Sequence, residues 1–204
     1  MSLDQLIGII SVLGLGAFTV SGVIEAKRKE MDVIGAAAVA FITAVGGGTV
    51  RDILLGRYPI FWISDQRYAI GIFALAVVVF FSLRSARLLG SAILVPDALG
   101  LGLFTVTGAS YALAEHTSMV IASLMGVITG IFGGVLRDIV CNEVPAVFAR
   151  TQLYATCALV GAWTFLLLGK AGASASVALS AGVLATFLLR MAALRFDLRL
   201  QRPR

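Results

Sequence analysis

Charge is what this 204-residue chain has least of: 16 Lys and Arg with 11 Asp and Glu, 13% of residues, against 59% hydrophobic and a mean hydropathy of +0.99. A soluble domain of this length cannot hide that much apolar surface in one core, so the composition excludes one and describes a membrane protein. Histidine occurs once, at His116, and reads as solvated with no ligand role. The only cysteines, Cys141 and Cys157, have no metal-ligand spacing and lie in or beside apolar runs. They read as packing residues, which excludes a disulfide framework. There is no Walker loop, zinc spacing or serine triad, so neither an enzyme nor a cofactor or metal is expected. Nothing alternates with a period of two, which excludes a β-barrel and leaves helices, the structures that satisfy their own backbone in lipid.

What is present is a series of uncharged runs: 5–24, 33–50, 68–83, 98–114, 117–136, 151–169 and 171–189. Each is near the ~20 residues a helix needs to cross hydrocarbon, so seven transmembrane helices are expected. The first is expected to be retained rather than cleaved, since only Asp4 precedes it and its sequence recurs later. With Arg51 and Arg137 set aside, one side of the membrane collects Lys27, Arg28, Lys29, Arg84, Arg87, Arg150, Arg190, Arg195, Arg199, Arg202 and Arg204. The other collects Arg57, Arg67 and Lys170. This imbalance places the N-terminus outside and the C-terminus in the cytoplasm of a plasma (inner) membrane protein. The net charge of +5 thus reports topology, and no nucleic-acid partner is expected.

The chain repeats itself. LGLGAFTVSG (13–22) returns as LGLGLFTVTG (99–108), and GGGTVRDILLGRYP (46–59) as FGGVLRDIVCNEVP (132–145), both at an offset of 86. Residues 5–84 and 91–170 are therefore read as two copies of one three-helix unit, followed at 171–204 by a seventh helix and a basic tail. Three spans per unit force the second copy upside down, giving an inverted 3+3 repeat plus one extra helix.

The adjacent glycines Gly46, Gly47 and Gly48, and Gly133 and Gly134, read as helix breaks that would line a cavity. The spacing Gly126, Gly130, Gly134, matched by Ala40, Ala44 and Gly48, reads as a packing ridge. Arg51, Asp52, Arg137 and Asp138 are expected to pair across the repeat, Arg51 with Asp138 and Arg137 with Asp52, as a structural clamp or beside the permeating species. Asp97 reads as a helix cap or a pore-mouth residue. Thr19, Ser21, Thr105 and Thr107 either bond back to their own helices or line a channel, and Glu25 and Glu115 read as interfacial.

With its doubled GG-x-x-RD motif, each copy preceded by LGLxxFTVxG, the chain resembles over nearly its whole length the prokaryotic trimeric intracellular cation channel family, whose repeat is also called a glycine-transporter-type (UPF0126) unit. The resemblance implies a homotrimer with a pore through each protomer, lined by kinked second and fifth helices. The conducted ion would be a monovalent cation, potassium. It further implies that Gly47, Gly48, Gly133 and Gly134 are the kink residues and that Arg51, Asp52, Arg137 and Asp138 lie near the pore. The lysine-containing phosphoinositide motif of the animal members has no counterpart here. Ser11 stands where an acidic residue is expected opposite Asp97. The residues themselves leave a second reading open, a secondary transporter of glycine or another small amino acid, whose carboxylate two arginines and half-helix amides would suit.

Overall fold

In the computed structural model, which describes residues 3–83, 92–148 and 153–198, every regular element is a helix. Seven are long: α1 (Leu3–Arg28), α2 (Val33–Leu54), α4 (Gln66–Ser82), α5 (Leu94–Ala114), α6 (Met119–Val140), α7 (Tyr154–Lys170) and α8 (Ala175–Arg195). An eighth, α3 (Phe61–Ser64), is a single turn. α1, α2, α6 and α8 are long and apolar enough to cross a membrane, and α4 and α7 are shorter apolar helices. Arg84, Arg87, Arg150, Arg199, Arg202 and Arg204 lie outside the described residues.

Local chemistry repeats with the sequence. Asp32 caps α2 by accepting from Gly35 N at 2.8 Å, and Ser118, its partner at the offset of 86, caps α6 by accepting from Ile121 N at 3.3 Å. Both helices end alike. Arg57 N donates to Asp52 O and Glu143 N to Asp138 O, each at 2.8 Å, while Gly56 and Asn142 take positive φ of 66° and 56°. A residue in the left-handed region just past the last turn lets the amides beyond it return to the final carbonyls, and glycine or asparagine adopts it at least cost.

α2 and α6 cross at the centre. A Cβ on Gly47 would stand 2.0 Å from Thr129 O, and one on Gly133 would stand 2.4 Å from Thr43 O. Position 43 lies beside 133 and 47 beside 129, so the helices run antiparallel at the contact, and adding 86 to one close approach generates the other. The same holds for α1 and α5. A Cβ on Gly14 would meet the Phe104 ring at 3.2 Å, and one on Gly100 the Phe18 ring at 2.4 Å. Phe18 and Phe104 themselves pack with centroids 5.3 Å apart.

The glycine runs do not break their helices, contrary to the expectation from sequence; α2 and α6 continue through them. Consecutive residues on a helix face different directions, and each glycine admits a different neighbour. Gly46 faces Leu136, Gly47 the Thr129 carbonyl and Gly48 the Phe61 ring, with would-be Cβ contacts at 2.7, 2.0 and 2.6 Å. Close approach on three sides, rather than unwinding, explains three glycines in a row. The Gly126–Gly130–Gly134 ridge packs as expected, the first two against Thr105 and Leu101 of α5.

Candidate functional site

Each Arg-Asp motif sits in the last turn of its helix, four residues beyond the tight glycine contact. Because α2 and α6 are antiparallel there, the motifs lie at opposite ends of the bundle. The level of Arg51 on α6 is near Met125, thirteen residues from Asp138, about 20 Å at the helical rise. The expected pairing across the repeat is therefore out of reach, and each arginine turns onto its own aspartate. Arg51 Nε and Nη2 donate to Asp52 Oδ1 at 2.9 and 2.8 Å, and Arg137 Nε and Nη2 to Asp138 Oδ1 at 2.9 and 2.8 Å. The second carboxylate oxygens also match: Asp52 Oδ2 accepts from Phe61 N and Asp138 Oδ2 from Ala146 N, both at 3.0 Å. Each aspartate thus ties its arginine to the segment after the helix, the start of α3 in one copy and Ala146 in the other, and all four side chains are buried. Two charge-assisted bonds to one oxygen offset much of the cost of burying a guanidinium.

Around this shared frame the two ends differ. Arg51 stacks on Tyr111 at 4.1 Å and lies 5.6 Å from the Phe61 ring. Arg137 instead donates from Nη1 to Asp97 Oδ1 at 2.6 Å and to Ser21 Oγ. Asp97 is therefore no cap. It lies buried in the first turn of α5, whose N-cap is Ile93, and is an ion-pair partner. Its repeat partner Ser11 bonds back to Ile7 O at 2.8 Å. Thr19 and Thr107 also bond to their own helices, at Leu15 O and Leu103 O, both at 2.7 Å. Thr105 is fully buried against Gly130. Of the four hydroxyls singled out on α1 and α5, Ser21 alone reaches the charged cluster.

Each motif lines a polar cavity. The one at the Glu115 end is about 400 Å³ and is bounded by Arg51, Asp52, Arg57, Tyr111 and Glu115. The one at the Glu25 end is about 200 Å³ and is bounded by Glu25, Arg28, Asp97, Arg137, Asp138 and Arg190. Arg190 on α8 lies 4.7 Å over the Tyr154 ring. Glu25, expected at an interface, is buried, whereas Glu115 is partly exposed. At the rims Arg57 pairs with Glu115 at 2.6 Å and Lys29 with Glu143 at 2.5 Å. Through this hydrogen bond Glu143 holds the pKa of Lys29 above, and Lys29 holds that of Glu143 below, its ordinary value. These rim pairs are equivalent under the offset of 86 with the charges exchanged, since 29 maps to 115 and 57 to 143. The sequence carried that signal, but it appears only when charges are compared pairwise between the copies.

Cys141 and Cys157 are buried free thiols, as read from sequence. Among the described residues no group of three His, Cys, Asp or Glu is placed to hold a metal.

An all-helical bundle made of a duplicated apolar unit, with a charged motif at each end, defines a class of integral membrane proteins. The family model described as Glycine transporter matches residues 8–84 and again 94–170, the same offset of 86. A UPF0126 membrane protein of Vibrio cholerae is 40% identical over 96% of this chain and 82% of its own length. The UPF0126 inner membrane protein YadS of Escherichia coli is 35% identical over 94% and 93%. Among solved structures, the trimeric intracellular cation (TRIC) channel orthologue from Rhodobacter sphaeroides superposes with TM-score 0.88 at 43% identity, covering 95% of this chain and all of that one. A prokaryotic TRIC channel in 0.5 M KCl matches with TM-score 0.88 at 29% identity over 97% and 100%. The chain belongs to the UPF0126 family of membrane proteins, carries its unit twice, and has the fold of the prokaryotic TRIC channels. Neither the family nor the fold neighbours are enzymes.

Proposed function

We propose that the chain is a monovalent cation channel of the inner membrane, with potassium as its physiological ion. It would act as a homotrimer with one pore per protomer along the α2–α6 seam, the second and fifth of the long helices. The N-terminus would lie outside and the C-terminus in the cytoplasm, with seven long helices crossing as an inverted 3+3 repeat plus α8. The observation that carries this reading is a pair of polar cavities at opposite ends of the α2–α6 crossing, each holding a buried arginine neutralised by its own aspartate. A neutralised guanidinium removes the main electrostatic objection to a cation path beside two arginines. The solved neighbours, described as cation channels, and the antiparallel, offset-related contacts of α2 with α6 and α1 with α5 support it further. In this arrangement the Gly47 and Gly133 contacts separate the cavities, so conduction requires α2 and α6 to part there.

The second reading, a carrier of glycine or another small amino acid, draws on the family description. It is disfavoured because unbroken α2 and α6 offer no free half-helix amides to a carboxylate. Planar-bilayer recording of the purified protein under a potassium gradient separates the two. Discrete steps reversing near the potassium potential are expected. Silence there, with saturable glycine uptake by the same proteoliposomes, would overturn the channel reading.

A further inference from the structure

α8 has no counterpart in the first copy, and the place it would take there stands open. In the second copy α8 lies against α5 and α7, so near that a Cβ on Gly102 would stand 2.9 Å from Val183 O and one on Gly161 2.8 Å from Gly182 O. Subtracting 86 turns that groove into the one between α1 and α4. There it is a cavity of about 350 Å³ walled by Val12, Leu15 and Gly16 of α1 and Gly71, Ile72 and Leu75 of α4. Two differences between the grooves decide what the open one can hold. Leu75 stands at the position of Gly161, so no helix can come as near as α8 does. The wall it leaves is uneven and apolar, a shape that a flexible hydrocarbon chain follows and a rigid helix does not. At the end of the groove are Asp65 and Arg67, where the second copy has Thr151 and Leu153. Arg67 Nε and Nη2 donate to Asp65 Oδ2 at 2.9 and 2.7 Å, which leaves Nη1 outside the pair on a side chain 87% exposed.

We propose that the α1–α4 groove binds a phospholipid with a zwitterionic, ethanolamine-type headgroup, one acyl chain lying between the two helices. The phosphate accepts from Arg67 Nη1 while the ammonium donates to the Asp65 carboxylate, so a neutral pair on the protein meets a neutral pair on the lipid. An anionic headgroup satisfies only the arginine and is opposed by the aspartate. Tyr68, next to the pair and also lining the groove, places an amphipathic ring where headgroups and acyl chains meet. The lipid takes the place that α8 fills in the second copy. The site needs only that the chain sits in a bilayer, so it stands apart from the channel reading.

Native mass spectrometry of the full chain tests this, after titration in detergent with phosphatidylethanolamine or with phosphatidylglycerol of the same acyl chains. The protein should retain one phosphatidylethanolamine per chain, with a preference of about fivefold over phosphatidylglycerol. Arg67→Ala should weaken retention of phosphatidylethanolamine by about the same factor. Asp65→Asn, which keeps a good N-cap residue on α4, should remove the preference between the two lipids. Gly71→Phe fills the groove from a position whose Cβ meets nothing within 4 Å, and should abolish retention of both. No retained lipid, equal retention of the two lipids by the wild-type protein, or retention unchanged in Gly71→Phe overturns the site, whether or not the protein conducts. A Gly71→Phe protein that keeps its lipid but changes the number of copies per particle also overturns it, and assigns the groove to contact between copies.

Discussion

Gly47→Ala tests whether the glycines serve close approach rather than unwinding. The added Cβ would stand 2.0 Å from the Thr129 carbonyl oxygen, where real Cβ atoms essentially never come within 3.0 Å. The obstacle is backbone, so no rotamer change relieves it, and α2 and α6 must separate by about 1 Å. A gap of that size forfeits a quarter to a half of the dispersion energy of the contacts it opens. Overpacking costs about 1–3 kcal/mol and occasionally more, while replacing a helical glycine by alanine returns up to about 1 kcal/mol. The net expectation is a loss of about 2 kcal/mol, a fall of roughly 4–8 °C in melting temperature for a chain this long. Gly133→Ala, with its Cβ 2.4 Å from Thr43 O, should cost somewhat less. Gly169→Ala, which meets nothing within 4 Å, should be neutral or mildly stabilising. Thermal melting in detergent, followed by size-exclusion chromatography, reads all three. A Gly47→Ala protein as stable as the wild type, or a ranking that places Gly169 first, would refute the argument.

Gly134→Leu, whose added side chain would meet only the ends of Tyr154, Asp97 and Arg137, should abolish potassium current while the protein still assembles; normal current from an assembled variant would remove the seam from the pore. Reversing Arg57→Glu or Glu115→Arg alone should weaken the rim by about 0.5–1 kcal/mol, and the double reversal should restore it, as read by melting at low salt. Absence of recovery would mean that the pair contributes nothing. Because Lys29 holds the pKa of Glu143 below its usual value, that contact is present above the ordinary carboxylate range and is lost as pH falls through the depressed value. The protection factor for hydrogen exchange at the α1–α2 turn, which corrects for the intrinsic pH dependence of exchange, should therefore fall on acidification in the wild type and stay constant in Lys29→Ala.

The helical class and the duplication were legible because both rest on local signals, apolar run length and recurrence at one offset. The fate of particular charges was not. Whether Arg51 meets Asp52 or Asp138 depends on where α2 and α6 cross, and that contact is set by glycines whose sequence fits a break as well as an approach. Glu25 illustrates the same limit. At the end of an apolar run it reads as interfacial, but it is buried because α5, α6 and the loop after α6 close over it, and none of these is near it in sequence. The short α3 went unseen because four residues carry no periodicity. It matters nonetheless, since its Phe61 amide holds Asp52 and its ring occupies the space beside Gly48.

Duplication fixed the frame, and divergence within it distinguishes the ends. The caps, the helix endings, the glycine contacts and the arginine-aspartate pairs coincide under the offset of 86, as a backbone arrangement must if both copies pack against each other by the same contacts. Among the many positions at which the two copies differ, Ser11 against Asp97, Glu25 against Tyr111, and Lys29 and Arg57 against Glu115 and Glu143 are those that set the two ends apart in charge. Ser11 bonds back to its own helix, whereas Asp97 at the equivalent position lines a cavity and accepts from Arg137. The two ends of a repeated scaffold therefore differ in chemistry, with a guanidinium stacked on an aromatic ring at one and a buried carboxylate paired with Arg28 at the other.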